Sequence, residues 1–219
     1  MKLFLDTADV GALQRWIPTG IIDGVTTNPT LLSKATSDPL ETIQVISGLL
    51  PHGDVSVEVT EEDMTSIYEQ AHRIARLANN IVVKIPCHIK YYPIMERLVK
   101  EGVKVNVTLV FTLFQGLAMT KLGVRYISPF IGRLEDVETD GMGLIRQLRS
   151  MLDMYGNETE LLAASLRSVQ HLHEVIEIGV DAATVPVSIL EKAVNHPLTD
   201  EGMKRFIHDW KQLGIKQFP

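Results

Sequence analysis

The sequence predicts an α/β fold, a (β/α)8 TIM barrel with an additional C-terminal helix, with 1–219 forming one domain. Three observations predict it. Short runs rich in Val, Ile and Leu recur eight times along the chain. Amphipathic stretches with apolar residues three and four apart lie between them. The first run ends in Asp6-Thr7-Ala8-Asp9, with none of the glycine-rich phosphate loop that an open doubly wound sheet would want there. Eight units in 219 residues leave about 27 residues each, the size of a compact strand–helix unit.

The strand candidates are 2–5, 22–26, 54–59, 81–85, 104–109, 125–128, 161–165 and 182–185. They show little strict alternation, as strands covered on both faces do. Helices are predicted over 64–78, 92–100, 112–122, 141–155, 168–178 and 187–194. In the first, Ile67, Ala71, Ile74, Ala75 and Ala78 fall on one side. Gly102, Gly123, Gly156 and Gly179 follow periodic segments, where helix C-caps stand. A last helix over 199–215 carries Phe206, Ile207 and Trp210 as an apolar stripe. It either packs on its own barrel or reaches a neighbouring subunit.

Composition narrows the function classes. Lys+Arg is 21 against Asp+Glu 27, a net charge of −6, so no basic excess points to nucleic acid. The single cysteine, Cys87, rules out an intrachain disulfide framework and fits a reducing compartment. No apolar run approaches the roughly 18 residues of a membrane span. Asp6 interrupts the first apolar run too early for a signal peptide, so a cytoplasmic location is expected. The seven His residues show no metal-ligand spacing. The sequons Asn106-Val107-Thr108 and Asn157-Glu158-Thr159 read as chance without a secretory signal.

In a parallel barrel the active site forms at the C-terminal ends of the strands. Polar residues stand at those ends: Asp6, Asn28, Glu58, Lys84, Asn106, Thr108, Ser128, Ser165 and Arg167, with Arg133 in the loop after the sixth strand. Every strand but the last contributes. Lys84 is the sharpest candidate, because Ile81-Val82-Val83-Lys84-Ile85-Pro86 is otherwise apolar. The ordinary alternative is a side chain that snorkels to solvent. Pointing inward, it would suffer desolvation, which favours the neutral amine that attacks a ketone. Asp6 could instead cap the first helix. Glu58 lies between Val57 and Val59 in a run that reads as buried. A lysine with two carboxylates meets the needs of class I aldol chemistry, in which one group moves the substrate hydroxyl proton and another assists dehydration. Arg133 and Arg167 suit a phosphate, each preceded by a serine near a strand end; the alternative is two exposed arginines.

These segments together resemble a known family. Phe4-Leu5-Asp6-Thr7-Ala8, Gly24-Val25-Thr26-Thr27-Asn28-Pro29-Thr30, Val57-Glu58-Val59, the Lys84 strand, Asn106-Val107-Thr108-Leu109, Ile127-Ser128-Pro129-Phe130-Ile131-Gly132-Arg133, Ala163-Ala164-Ser165-Leu166-Arg167 and His196-Pro197-Leu198-Thr199-Asp200 are similar to the transaldolases, especially the short type that includes fructose 6-phosphate aldolases. The resemblance implies Schiff-base chemistry without metal or cofactor, on sugar phosphates. Lys84 matches the Schiff-base lysine, Asp6 the proton-transferring carboxylate, and Glu58 with Thr108 the pair that orders a catalytic water. Asn28 and Asn106 match groups that hold substrate hydroxyls or the lysine. Ser128, Arg133, Ser165 and Arg167 match substrate and phosphate contacts.

Fructose 6-phosphate aldolases carry Gln at the place of Glu58 and Tyr at that of Phe130, so both positions here resemble transaldolase. The resemblance implies transfer of a dihydroxyacetone unit from sedoheptulose 7-phosphate to glyceraldehyde 3-phosphate. Rival readings are an aldolase releasing dihydroxyacetone and a non-catalytic sugar-phosphate-binding barrel. One departure is His88-Ile89-Lys90-Tyr91-Tyr92, where similar proteins run Thr-x-Glu-Gly. It bears on acceptor preference and rate. The short-type resemblance further implies a homo-oligomer, a decameric ring, with no nucleic-acid or membrane partner.

Overall fold

The computed structural model describes residues 1–156 and 158–214. Among them run the strands β1 (Lys2–Asp6), β2 (Gly24–Thr26), β3 (Asp54–Glu58), β4 (Ile81–Pro86), β5 (Val105–Val110), β6 (Tyr126–Pro129), β7 (Glu160–Ala163) and β8 (Ala182–Val185). They pair in parallel in chain order, and β8 pairs back with β1 to close the barrel. The helices are α1 (Val10–Trp16), α2 (Pro29–Ala35), α3 (Pro39–Leu49), α4 (Met64–Ala75), α5 (Tyr92–Lys100), α6 (Leu113–Leu122), α7 (Ile131–Glu135), α8 (Gly141–Tyr155), α9 (Val169–Ile178), α10 (Val187–Val194) and α11 (Pro197–Gln212).

Local chemistry starts most of these helices. Asp9, Asn28, Asp63, Thr112, Asp140 and Ser168 each accept a hydrogen bond from a backbone N–H of the first turn. Thr112 and Gln115 form a full capping box. Asp9 caps α1, so the expected alternative for Asp6 falls away. Gly156 ends α8 at φ 61°, as its place in the sequence predicts. β7 stops at Ala163, short of the expected 165, because Ser165 takes φ 61° and leaves the ladder. β5 carries an extra residue between Val107 and Val110, with Leu109 at φ 58°. The last helix starts at Pro197, capped by His196. Its predicted end at 215 lies outside the described residues, as does Asn157 of the second sequon. No residue of α11 is buried, and Phe206 and Ile207 are exposed.

The strands alternate more than expected. Outward residues such as Leu5, Val25, Val57, Val83, Ile85, Val107 and Val185 are buried under the helices. Inward residues form three levels. At the N-terminal end the level is ionic: Lys2 lies 2.8 Å from Glu160, Lys104 3.2 Å from Asp54, and the Tyr126 hydroxyl donates to Asp54 at 2.7 Å. The middle level is apolar, with Phe4, Val82, Tyr126, Leu162 and Ala182. At the C-terminal end the level is polar. Val55-Ser56-Val57-Glu58 shows the rule in one strand.

Phe4 fills the middle level because β2 offers no side chain beside it. A Cβ on Gly24 would stand 2.5 Å from two Phe4 ring atoms. Gly24→Ala is therefore expected to destabilise the barrel by about 1–3 kcal/mol through overpacking. Urea unfolding checks this, and an unchanged midpoint would refute it.

Candidate active site

Lys84 points into the barrel from β4, while its neighbours Val83 and Ile85 face the helices. It is 4% exposed, so it does not snorkel to solvent. Its Nζ lies 3.1 Å from Glu58 Oε2 and donates to the Thr27 carbonyl at 3.2 Å. The parallel register sets this meeting, since Glu58 stands opposite Lys84 and Lys84 opposite Asn106.

Asp6 approaches from β1. Thr26 Oγ1 donates to Asp6 Oδ1 at 2.9 Å and lies 2.6 Å from Thr184 Oγ1. Each hydroxyl has one hydrogen. With Asp6 ionised, Thr26 gives its proton to the carboxylate and Thr184 gives its own to Thr26. Burial raises the Asp6 pKa above its ordinary value, against the pull of Lys84 and the Thr26 hydrogen bond, with Glu58 adding to the rise.

Behind these groups lies a second buried network. Asn106 Nδ2 donates to Ser56 Oγ at 3.0 Å, and its Oδ1 accepts from Ser128 Oγ at 2.7 Å. Asn106 is therefore locked in orientation. Thr108 Oγ1 is buried and has no hydrogen-bond partner among the described residues. An orphaned hydroxyl at this depth is costly and suits a small polar ligand.

The groups open on a cavity of about 160 Å³. Asp6, Asn28, Lys84, Ser128, Phe130, Arg133 and Ser165 line it, together with Thr26, Leu162, Ala164 and Thr184. Asn28 also caps α2 through Oδ1, which accepts from Leu31 N at 2.9 Å. Its amide nitrogen has no partner among the described residues. The Arg133 guanidinium sits over the Phe130 ring, 5.1 Å from its centroid. A wider cleft of about 480 Å³ lies beside α1 and α2. It is a poorer reaction site, because Thr7 and Asp9 there already accept backbone N–H groups at 3.0 and 3.1 Å.

The structure thus gathers seven of the expected residues around one cavity and places Glu58, Asn106 and Thr108 directly behind it. Arg167 departs from expectation. It does not line the cavity, and both its Nη atoms donate to Asp136. Three groups went unread in the sequence: Thr26, Ser56 and Thr184. The eighth strand does contribute, through the lone polar residue of Ala182-Ala183-Thr184-Val185. That signal is weaker than the one that marks Lys84, because threonine, unlike lysine, is common in strands.

The segment after β4 forms a short turn of 3₁₀ helix, Ile89–Tyr91. His88 accepts from Lys90 N at 3.3 Å, and Tyr91 is buried. Cys87 lies 3.8 Å from the Tyr92 hydroxyl. Burial pushes the Cys87 thiol up and Tyr92 to about 12, so neither is a ready nucleophile. Among the described residues no group of three or more His, Cys, Asp or Glu could hold a metal ion, and no helix is long and apolar enough to cross a membrane.

Comparison with known proteins identifies the family. Relatives named "Probable transaldolase" in Dehalococcoides mccartyi and Streptococcus agalactiae are 44% and 45% identical over 214 and 216 residues. The first alignment covers 97% of this chain and 99% of the relative, the second 99% and 100%. "Probable transaldolase 2" of Listeria monocytogenes is 44% identical over 217 residues, 99% of each chain. The Transaldolase/Fructose-6-phosphate aldolase family model matches residues 3–217. A closed barrel with a lysine and two carboxylates at its C-terminal end, matched over nearly its whole length, belongs to the transaldolase/fructose-6-phosphate aldolase family.

Proposed function

We propose that this chain is a transaldolase, moving a dihydroxyacetone unit from sedoheptulose 7-phosphate to glyceraldehyde 3-phosphate. The observation that carries the reading is the buried Lys84 Nζ, 3.1 Å from Glu58 on the wall of a polar cavity it shares with Asp6. Glu58 takes the ammonium proton, and the freed amine adds to the C2 ketone. The carbinolamine loses its hydroxyl as water, with the proton delivered by Glu58 through a water that Thr108 helps hold. Asp6 takes the C4 hydroxyl proton as the C3–C4 bond breaks. Erythrose 4-phosphate leaves, and the electron pair remains as an enamine on Lys84. The enamine then attacks the acceptor aldehyde, Asp6 returns the proton, and water releases fructose 6-phosphate.

A raised Asp6 pKa suits that shuttle, because the group must hold a proton between the two half-reactions. Asn28 and Asn106 are assigned to substrate hydroxyls and to support of the lysine. Ser128, Ser165, Arg133 and Arg167 are assigned to the remainder of the substrate and its phosphate. Phe130 favours transfer over release, since it offers no hydroxyl beside the imine to help water discharge dihydroxyacetone. The same reading makes residues 1–219 one cytoplasmic barrel domain and gives the exposed α11 to a neighbouring subunit of a homo-oligomer.

Two measurements test it. Borohydride added with sedoheptulose 7-phosphate is expected to leave a sugar or three-carbon mass on the Lys84 peptide. Without acceptor, erythrose 4-phosphate release is expected to stall near one equivalent per subunit. Release of free dihydroxyacetone as fast as transfer would replace the transaldolase reading with the aldolase one.

A further inference from the structure

Arg167 follows a strand end whose serine lines the cavity, yet its guanidinium lies elsewhere. Both Nη atoms donate to the Asp136 carboxylate, with Nη2 2.6 Å from Oδ2. Asp136 is the C-cap of α7, and Arg133, which does line the cavity, is on that helix. The arginine side chain is pressed against α7. A Cβ on Gly132 would collide with Arg167 Nε and stand 2.7 Å from the Ser165 carbonyl. Two further ties hold the loops after β6 and β7 together. Gly132 N donates to the Ser165 carbonyl at 3.0 Å, and His171 Nε2 lies 3.1 Å from Glu135 Oε2. The Arg167 side chain is 48% exposed, so its pair with Asp136 is screened by solvent and weak enough to be displaced.

We propose that Asp136 determines specificity by position: its carboxylate occupies the Arg167 fork and yields it only to a ligand phosphate. A dianionic phosphate makes stronger paired bonds to guanidinium than a sugar hydroxyl can. A phosphorylated sugar therefore recruits Arg167 towards Ser165 and Arg133. An unphosphorylated sugar leaves Arg167 on Asp136, with the anion subsite incomplete. This deepens the transaldolase reading and rests on it for the identity of the sugar.

The test needs no turnover. Inorganic phosphate is titrated calorimetrically into the wild-type protein, Asp136→Asn, Arg167→Met and the double variant, with melting curves to confirm folding. Asp136→Asn is expected to bind phosphate about two- to fivefold more tightly, the range of a solvent-exposed ion pair. The gain is expected to vanish in the Arg167→Met background. Unchanged or weaker binding by Asp136→Asn, a gain that survives without Arg167, or no phosphate binding by the wild type would each overturn the proposal. Borohydride trapping at Lys84 reports separately on the catalytic reading. With turnover, Asp136→Asn is expected to lower KM for a phosphorylated ketose and leave KM for the unphosphorylated one unchanged.

Discussion

Lys84→Met is expected to abolish borohydride trapping and to lower kcat by at least about 10⁴-fold, since among the described residues no other lysine lines the cavity. The same substitution carries a structural cost. Glu58 would be left largely buried without the partner now 3.1 Å away. Breaking a buried pair from one side costs about 3–5 kcal/mol. Lys84→Met is thus expected to unfold at clearly lower urea, and Glu58→Gln added to it to recover most of that loss while leaving activity absent. Retained trapping in Lys84→Met would remove Lys84 as the nucleophile. Wild-type stability of the single variant would show that the pair is not buried as described.

Asp6→Asn is expected to lower kcat by about 10²–10⁴-fold, the usual worth of a positioned proton-transfer group. Donor should still be trapped on Lys84, because amine attack on the ketone does not use Asp6. Stability is expected to move the other way. Burial raises the folded-state pKa of Asp6 above the ordinary 3.8, so the folded protein binds the proton more tightly than the unfolded chain does. Stability contributed by this group falls as pH rises through the window between 3.8 and the raised value. Above that window the ionised carboxylate carries its full penalty. Asp6→Asn removes the penalty, while Glu58 still neutralises Lys84. The variant should melt higher than wild type at neutral pH and lose that advantage as pH falls towards 3.8. A lower melting temperature at neutral pH would sink the burial argument.

Much of this was legible in the sequence where the signal is local. β8, α5, α8 and α10 fall on the residues predicted for them. The boundaries of α8 are chemically marked, by Asp140 before it and Gly156 after it. Short elements leave no period to read. α1 and α2 have seven residues each and α7 has five, so none completes the repeats that reveal an amphipathic face. α3 starts at Pro39 behind the Asp38 cap, yet the polar stretch that leads into it reads as a loop.

The site divides the same way. Lys84, Asp6 and Glu58 stand out because ionisable groups are rare in apolar strands. Thr26 and Thr184 do not, because threonine is an ordinary strand residue. Their importance comes from the closed register, which brings two β-strands on either side of β1 within one hydrogen bond. Arg167 fails for a related reason. Its place near a strand end was readable, but its partner lies 31 residues earlier, on a helix too short to predict.

The hydroxyl bridge across β1 also has a folding-order consequence. β1 meets its second neighbour only when Lys2 pairs with Ala182, the longest closure in the barrel. Such a closure is entropically the hardest of the strand pairings and depends on the last-made part of the molecule. Asp6 can find Thr26 early, but Thr184 arrives only with β8. A nascent chain that has not yet emerged to β8 already carries Lys84 and Glu58, yet has no finished pocket in which to bind a sugar.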